Sequence, residues 1–423
     1  MGFVRKTPAG SWRACWRDAT GRQPSKTFKT KREATAFLAE VESTVNRGTY
    51  VDPHAGRRVP FDAYARRWLE SRNHELATTA RDASIMRTHL LPHWGSTPLA
   101  RIDHSAVQHW VTDLGQRLAP ASVAQCHRLM SGVLKAAVRD RLIAVNPCDG
   151  VRLPRQRRQA GADRLISRED FAERLLAAVP PRYRALVGLA GGTGLRWGEC
   201  IGLRWDSVDL TASQVRVQRV AVEVAGHVTT KPYPKSRAGR RTVPLPPFVV
   251  ELLKAHRETY GTGAAGEVFT NEAGGPIRRT LFRSRIWRPA LVRAGLLGTV
   301  KEEGRRAFTA VWTDDDGTEH RETFTTHAQA VRHVARNAGG APRFHDLRHS
   351  YATWLITAGV AINDVQRVMG HEQATTTLSI YTHVMGGVDD RVLGALAAFS
   401  LPPEPPETPE APESDDSGAS DQA

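Results

Sequence analysis

Hydrophobic residues recur at two different spacings along the chain, and each spacing predicts a different kind of element. Between residues 61 and 153 they return every three or four positions, in stretches such as FDAYARRWLESR and DHSAVQHWVTDLG. That spacing predicts a helical domain over residues 60–155. Residues 1–52 alternate short aromatic and basic runs before one amphipathic stretch, which predicts a small sheet followed by a helix.

A third region, residues 163–400, mixes both spacings. Ser167 is a candidate N-cap of its first helix, and Gly370 is a candidate end of the helix INDVQRVM. Between them, QVRVQRVAVEV alternates as a strand does, and GRRTVPLP alternates as its hairpin partner. Residues 401–423 are rich in proline and acidic residues, as is typical of a disordered tail. The chain is therefore predicted to be multidomain and mainly α, with small β-sheets.

The chain contains an internal repeat. Residues 12–39 align without gaps on residues 308–335, and nine aligned pairs are identical: Ala14/Ala310, Trp16/Trp312, Asp18/Asp314, Gly21/Gly317, Thr27/Thr323, Phe28/Phe324, Thr30/Thr326, Ala34/Ala330 and Ala39/Ala335. The shared tryptophan, turn residues, phenylalanine and helix start would specify one small fold twice. A second copy of the N-terminal unit is thus predicted within residues 300–340.

The charge of the chain indicates a polyanionic partner. The formal net charge is +15, and the last 23 residues hold seven acids and no Lys or Arg, so the remainder carries +22. Such an excess suggests nucleic acid, although a basic surface alone could also explain it. Four cations mark the first copy of the repeat: Arg13, Arg17, Lys26 and Lys29. The aligned residues of the second copy are Thr309, Thr313, Glu322 and Thr325. Our hypothesis is that the first copy binds DNA and the second serves protein contact or support.

Composition also narrows the cellular setting. No run of about 18 apolar residues is present, so no membrane span is expected. The first residues lack the apolar stretch of a secretory signal. The four cysteines are scattered without CxxC pairing, which argues for a reducing cytoplasm and against a zinc framework. We expect a cytoplasmic, nucleoid-associated protein.

Two motifs carry arginines that could bind phosphate. In TGLRWGE, Arg196 begins a helix and Glu199 follows one turn later, but an exposed Arg–Glu pair is an equal alternative. The loop lacks the GK[ST] of a P-loop. In HDLRHSYATWLITAG, His345 and His349 have the spacing of a zinc helix, yet the glutamate of HExxH is absent between them. Arg348 near a helix start favours an anionic phosphate over a metal.

Two further motifs are ambiguous when taken singly. Lys235 lies in the turn of the predicted hairpin within KPYPKSRAGRRTVPLP, where a surface lysine is the simpler interpretation. In MGHEQATTTLSIYTHV, His371 follows the glycine that ends a helix, and Tyr381 lies ten residues later. Taken alone, Tyr381 is more often a half-buried packing residue.

The order of these motifs is more specific than any one of them. TGLRWGE, a hairpin lysine, HDLRH, MGH and IYTHV succeed one another as in the tyrosine recombinases of the phage-integrase type, which this chain resembles. The resemblance implies an AP2-like arm-binding domain at residues 1–52 and a helical, SAM-like core-binding domain at 60–155. It also implies an α+β catalytic domain at 163–400, in which the AP2-like repeat at 300–340 is an unusual insertion.

The resemblance assigns the central chemistry to three residues. Tyr381 matches the family nucleophile, which attacks a DNA phosphate to form a 3′-phosphotyrosyl bond and releases a 5′-hydroxyl. Arg196 and Arg348 match the paired arginines that hold the nonbridging oxygens and stabilise the transition state. Neither a metal nor another cofactor is implied.

The remaining positions support proton transfer. Lys235 matches the general acid for the leaving 5′-oxygen, with Lys231 as its rival, and the spacing to RRTVPL favours Lys235. By the same resemblance, His345 assists proton movement at the tyrosine and His371 donates to the phosphate. Glu199 orients its neighbours.

The resemblance predicts a site-specific integrase of a phage or integrative element. Its partners would be duplex DNA attachment sites, three further copies of itself in a homotetramer, a host bending factor and an excision directionality factor. A relaxing topoisomerase and a non-cleaving DNA-binding regulator are the alternatives. The separate arm-binding domain argues against the first alternative, and the five intact motifs argue against the second.

Overall fold

The computed structural model describes residues 2–17, 21, 23–47, 50, 55–155, 165–232 and 239–370. Within these ranges the chain forms separate hydrophobic cores for its N-terminal, helical and C-terminal parts. Helices predominate and the sheets are small. The predicted α-rich, multidomain class is therefore confirmed at this coarse level. No helix in the described ranges is both long and apolar enough to cross a membrane.

The N-terminal part is a three-stranded antiparallel sheet packed on one helix. Its elements are β1 (Phe3–Lys6), β2 (Trp12–Cys15), β3 (Ser25–Phe28) and α1 (Lys31–Asn46), with β2 in the centre of the sheet. Thr30 caps α1 by accepting a hydrogen bond from the Glu33 backbone N–H at 3.2 Å. The core under the sheet contains Ala14, Trp16, Ala34, Leu38 and Val41.

The second part is a helical bundle. Its helices are α2 (Phe61–Glu70), α3 (Leu76–Ile85), α4 (Leu91–Trp94), α5 (His104–Gly115) and α6 (Pro120–Arg139). Their apolar positions converge on one core, as their helical spacing requires. The Tyr64 hydroxyl donates to Asp140 at 2.7 Å, which ties the first helix of the bundle to the end of the last.

The third part begins with helices and small sheets. Its first elements are α7 (Leu176–Ala178), α8 (Pro181–Thr193), α9 (Trp197–Ile201), β4 (Val208–Asp209), β5 (Gln214–Val217), β6 (Val220–Val224), β7 (His227–Lys231), β8 (Arg241–Pro244), α10 (Pro247–Tyr260), α11 (Arg279–Phe282) and α12 (Arg288–Arg293). The predicted N-cap is confirmed, because the Ser167 hydroxyl accepts from the Asp170 backbone N–H at 3.0 Å, at the start of the π-helical segment Asp170–Leu175 that leads into α7.

The prediction of one strand over QVRVQRVAVEV is wrong. The run divides into β5 and β6, which belong to different sheets. β5 pairs with β8, as the pattern of GRRTVPLP predicted, but the two do not form a hairpin, because β6 and β7 lie between them in sequence and pair with each other. The sequence carries a sign of this break, because the apolar residues shift from odd positions (Val215, Val217) to even positions (Val220, Val222, Val224).

The internal repeat is visible in the backbone. The second copy consists of β9 (Thr299–Gly304), β10 (Ala307–Thr313), β11 (Glu319–Phe324) and α13 (His327–Asn337), with β10 in the centre of its sheet. Trp12 pairs with Phe28 in the first copy, and the aligned Phe308 pairs with Phe324 in the second. Thr326 caps α13 through the Gln329 N–H at 3.2 Å, as Thr30 caps α1. Strand register and helix start thus coincide in the two copies.

The two copies differ in what they pack against. The buried residues of the first copy form a cluster of their own. In the second copy, Trp312 and Val334 belong to the same core as Trp287 and Leu291 of the surrounding part. The Arg288 guanidinium also donates to carbonyls at the C-terminal end of α13. The second copy is therefore built into the third part of the chain.

Two helices complete the described chain: α14 (Asp346–Thr357) and α15 (Ile362–Met369). α14 is fastened to the start of the third part, since the Ser350 hydroxyl accepts from the Ile166 N–H at 3.0 Å. α15 ends at Gly370 with φ +63°, the left-handed conformation predicted for that glycine. α8 ends in the same way at Gly194, with φ +63°.

Replacing Gly194 tests how tightly these helix ends are packed. An alanine Cβ at Gly194 would lie 2.5 Å from Tyr351 Cδ1, whereas one at Gly359 would meet nothing within 4 Å, and both glycines have positive φ. We expect Gly194→Ala to lower the free energy of unfolding by about 3 kcal/mol or more, and Gly359→Ala by about 1 kcal/mol. Denaturant unfolding of both variants measures the difference. Equal losses would show that only backbone strain matters at Gly194.

Candidate active site

Arg196 lies at the start of α9, just after the glycine turn that ends α8. Its backbone N–H donates to Glu199 Oε2 at 2.9 Å, and its Nη1 donates to Oε1 of the same carboxylate at 2.9 Å. The Glu199 side chain is only 3% exposed, while the Arg196 side chain is 40% exposed. The alternative of a solvent-exposed Arg–Glu pair is therefore wrong for the glutamate.

A second arginine, Arg241, shares the same carboxylate. Its Nη1 and Nη2 donate to the two oxygens of Glu199 at 3.2 and 2.9 Å. Burial by itself would raise the pKa of Glu199, but the hydrogen bonds and charge of Arg241, with those of Arg196, lower it to about 2. Glu199 is thus a buried carboxylate that stays ionised between two guanidinium groups.

Arg348 reaches the same region from α14. Its side chain is buried, and its Nη1 donates to the Gly194 carbonyl at 2.7 Å. Its Nη2 donates to the Met369 carbonyl at the end of α15. Arg196 Nη2 contacts the neighbouring Gly370 carbonyl at 3.4 Å. The structure thus brings together two arginines that are 152 positions apart in the sequence.

His345 precedes α14 and faces His349, with the ring centroids 5.1 Å apart. Partial burial, together with His349 and Arg348, lowers the pKa of His345 to about 4. Burial also lowers the pKa of His349. Both imidazoles are therefore neutral at pH 7 and can accept a proton or a hydrogen bond. Among the described residues, no group of three His, Cys, Asp or Glu side chains could hold a metal ion.

Three of the predicted site residues lie outside the described residues: Lys235, His371 and Tyr381. Lys231, the rival of Lys235, ends β7 and forms an ion pair with Glu75 beside α3 of the helical bundle. In the sequence, Lys235 lies between β7 and β8, and His371 directly follows Gly370.

The cations predicted to contact DNA do not all lie on one face of the N-terminal sheet. Arg13 pairs across the sheet with Arg5, so both side chains lie on the face opposite α1. Lys26 lies on the α1 side, with its Nζ 4.6 Å from the centre of the Phe37 ring. Two predicted residues are exposed beside the sheet: Arg17 and Lys29. The face opposite α1, called the open face below, therefore presents Arg5 and Arg13.

Sequence reasoning missed Arg5 and Arg241. Arg5 could have been found from the alternation of β1, since it shares the parity that places Arg13 on the open face. Arg241 follows Arg240 directly, and the strand pattern gave no sign of which one points inward. Arg240 is exposed, whereas the Arg241 side chain is only 5% exposed. Only the position of Glu199 in the folded chain shows that Arg241, and not Arg240, points inward.

The lowered pKa of Glu199 has a measurable consequence for stability. A carboxylate whose pKa is depressed by folding stabilises the native state above its unfolded pKa, and this contribution is lost as the pH falls toward the folded value. We expect Glu199→Gln to lower the free energy of unfolding by about 3 kcal/mol at pH 7, with a deficit that shrinks between about pH 5 and pH 2.

The control for this measurement is Glu251→Gln. Glu251 is exposed and pairs with Lys254 on the same helix, so its replacement should change stability by less than about 0.5 kcal/mol. Denaturant unfolding at several pH values measures both variants. A deficit of Glu199→Gln that did not change with pH would contradict the lowered pKa.

Comparison with known proteins shows which family the chain belongs to. Residues 167–386 match the Phage integrase family, and residues 61–153 match the Phage integrase central domain. A putative prophage phiRv2 integrase of Mycobacterium tuberculosis is 27% identical over 411 residues, covering 94% of this chain and 95% of that protein. The integrase of Mycobacterium phage L5 is 25% identical over 276 residues, covering 62% of this chain and 72% of the phage protein.

Solved structures share the fold. The Tn1549 transposon integrase in complex with transposon right end DNA superposes with a TM-score of 0.58 at 18% identity, covering 80% of this chain and 100% of that one. A lambda integrase dimer bound to a core site gives a TM-score of 0.50 at 15% identity, covering 89% and 93%. The family match spans more than half of the 423 residues. The chain therefore belongs to the phage integrase family, and it is a site-specific tyrosine recombinase of a phage or mobile element that cleaves and rejoins DNA.

Proposed function

We propose that this recombinase cleaves DNA with Tyr381 as nucleophile and with Arg196 and Arg348 as the groups that hold the scissile phosphate. The observation that supports this most is the meeting of the two arginines at the end of α15. The chain continues from that point directly to His371, the residue proposed to donate to the phosphate. Two guanidinium groups can stabilise the charge of the transition state, which is the work a metal does in other nucleases.

The reaction can be written with its protons. The Tyr381 oxygen attacks the phosphorus, a 3′-phosphotyrosyl bond forms, and the bond to the 5′-oxygen breaks. We assign Lys235 to donate the proton that the leaving 5′-oxygen needs, and the neutral His345 to assist proton movement at the tyrosine. The ion pair of Lys231 with Glu75 favours Lys235 over its rival. Because the phosphotyrosyl bond stores the energy of the broken bond, rejoining needs no ATP.

The domain arrangement supports a role at attachment sites. We infer that residues 1–52 are an AP2-like arm-binding domain and residues 60–155 a SAM-like core-binding domain. The catalytic domain would then span 163–400, with the second AP2-like copy at 300–340. Exposed arginines before and within α11 and the turn that follows it would add phosphate contacts: Arg278, Arg279, Arg283 and Arg285.

The proposed assembly is a homotetramer on two duplexes in the cytoplasm, associated with the nucleoid. A host bending factor and an excision directionality factor are its proposed further partners. Support comes from two solved structures of similar fold: an integrase in complex with transposon right end DNA and an integrase dimer bound to a core site. We also infer that the second copy of the repeat supports the segment ahead of His345, because the Thr313 carbonyl of β10 accepts from the Gly339 N–H at 2.8 Å.

Covalent capture on nicked DNA tests the nucleophile. The substrate is a duplex from the ends of the host element, nicked so that a cleaved strand end diffuses away. The native protein should form a covalent adduct, and Tyr381→Phe should reduce it by about 1,000-fold or more while still binding DNA. Tyr260→Phe, at a tyrosine that packs on His256, is the control and should leave the adduct unchanged. Sequencing the attached DNA also maps the crossover site.

The outcomes separate the proposed function from its alternatives. Binding by the native protein without any adduct would favour the non-cleaving regulator. An adduct that persists in Tyr381→Phe would show another nucleophile. Relaxation of supercoiled DNA without exchange between two attachment sites would favour the topoisomerase.

Matched variants of the repeat test which copy binds DNA. Arg5 and Arg13 lie on the open face of the first sheet, and the second sheet carries Lys301 and Arg321 on its corresponding face. We expect Arg5→Ala with Arg13→Ala to reduce the slope of log affinity against log salt by about 2, since each phosphate contact contributes about 1.

Lys301→Ala with Arg321→Ala, which removes the same charge, should leave the slope unchanged, because that face also carries Glu303 and Glu319. Titration of the full-length variants with arm-site DNA at several salt concentrations gives both slopes. A larger loss from the second pair would assign DNA binding to the inserted copy.

A further inference from the structure

The charges of Glu199 and of the two arginines that contact it do not balance. Glu199 carries one negative charge, and it contacts two guanidinium groups, those of Arg196 and Arg241. The three side chains together therefore carry one net positive charge. If Arg196 were the sole partner of Glu199, the pair would be neutral and would attract a phosphate only weakly.

Arg241 cannot itself supply that charge to DNA. Its side chain is 5% exposed, and its donors are engaged with Glu199 at 2.9 Å, the Val368 carbonyl at 2.6 Å and the Gly239 carbonyl at 3.2 Å. The Arg196 side chain is 40% exposed. Of the two partners of Glu199, Arg196 is the one that solvent, and hence a phosphate, can reach.

Arg241 also belongs to an ordered set of contacts at the end of α15. Three successive backbone carbonyls each accept from a different arginine: Val368 from Arg241 (2.6 Å), Met369 from Arg348, and Gly370 from Arg196 (3.4 Å). The last carbonyls of a helix have no partners within it and form the negative end of its dipole. The end of α15 thus fixes the three arginines side by side, with Arg241 on Val368, the carbonyl furthest from His371 in the sequence.

We propose that Arg241 is a positioning residue whose charge compensates Glu199, so that Arg196 keeps a net positive charge toward the scissile phosphate. Glu199 then orients Arg196 through its two hydrogen bonds without neutralising it. This inference rests on the proposed role of Arg196 in phosphate binding. The proposed role of Arg241 differs from a purely structural role in one respect. The loss of cleavage rate in an Arg241 variant should depend on the charge of Glu199.

The first test compares cleavage rates on the nicked duplex that carries the mapped crossover site. Arg241→Gln leaves Glu199 with Arg196 alone, and we expect cleavage to slow by about 10- to 100-fold. Adding Glu199→Gln removes the uncompensated charge while its amide oxygen can still accept from Arg196. The double variant should therefore cleave about tenfold or more faster than Arg241→Gln. If Arg241 were only a structural clamp, the double variant would be as slow as the single variant or slower.

The second test changes the phosphate. A methylphosphonate at the scissile position is neutral, because a methyl group replaces one nonbridging oxygen. The ratio of native to Arg241→Gln cleavage rates should then fall to within about threefold of unity, since less charge needs stabilising. An unchanged ratio on this substrate would overturn the proposal.

Two variants keep the test decisive if Arg241→Gln folds poorly. Arg241→Lys retains the charge but not the paired hydrogen bonds, so it should cleave at least about fivefold faster than Arg241→Gln. If Arg241→Gln does not fold, Arg241→Lys should cleave within about tenfold of the native rate. Loss of cleavage by a folded Arg241→Lys, as judged by thermal unfolding and DNA binding, would indicate a structural clamp. Arg367→Gln, at an exposed arginine paired with Asp364, is the matched control and should cleave at the native rate.

Failure of this proposal is distinguishable from failure of the proposed function. Native protein that forms no adduct contradicts the function itself. Native protein that forms the adduct, with Arg241→Gln cleaving at the native rate, contradicts only the role of Arg241.

Discussion

A buried carboxylate between two guanidinium groups is the interaction on which the catalytic region depends. Glu199 is ionised in the interior because Arg196 and Arg241 offset the cost of removing its charge from water. The same contact joins the start of α9 to β8, and Arg241 then joins β8 to the end of α15. Elements from distant parts of the sequence are thereby held around one small volume. In the proposed mechanism, such fixed cations would stabilise the charge of the transition state.

The two copies of the repeat have the same fold, but one has a core of its own and the other shares the core of the third part. Both copies keep the residues that define strand register and helix start, including the capping pair Thr30 and Thr326. Their surfaces diverged: the ammonium of Lys26 lies over an aromatic ring, whereas the aligned Glu322 pairs with His333 at 3.2 Å. A copy enclosed in a larger core gains stability from that core and can lose its cations. A copy with a core of its own keeps its four cations, which the proposed function assigns to DNA.

Much of the architecture could be predicted from local patterns. Capping residues such as Ser167 and the glycine turn at Gly370 are set by backbone chemistry within a few residues, so the sequence shows them directly. The alternation changes phase between β5 and β6, but the sheet that each strand joins depends on distant residues and was missed. Arg241 was missed for a similar reason, since its importance lies in a partner 42 positions away.

The sequence by itself determined the elements, the repeat, the excess of positive charge and the family motifs, because each depends on neighbouring residues or on fixed spacing. The tertiary structure alone decided that Glu199 is buried, that His345 has a lowered pKa, and that Arg241 rather than Arg240 points inward. Burial and charge environment are set by residues far apart in the chain. The physical reason is that electrostatic and solvation energies depend on distance in space, which only the folded chain defines.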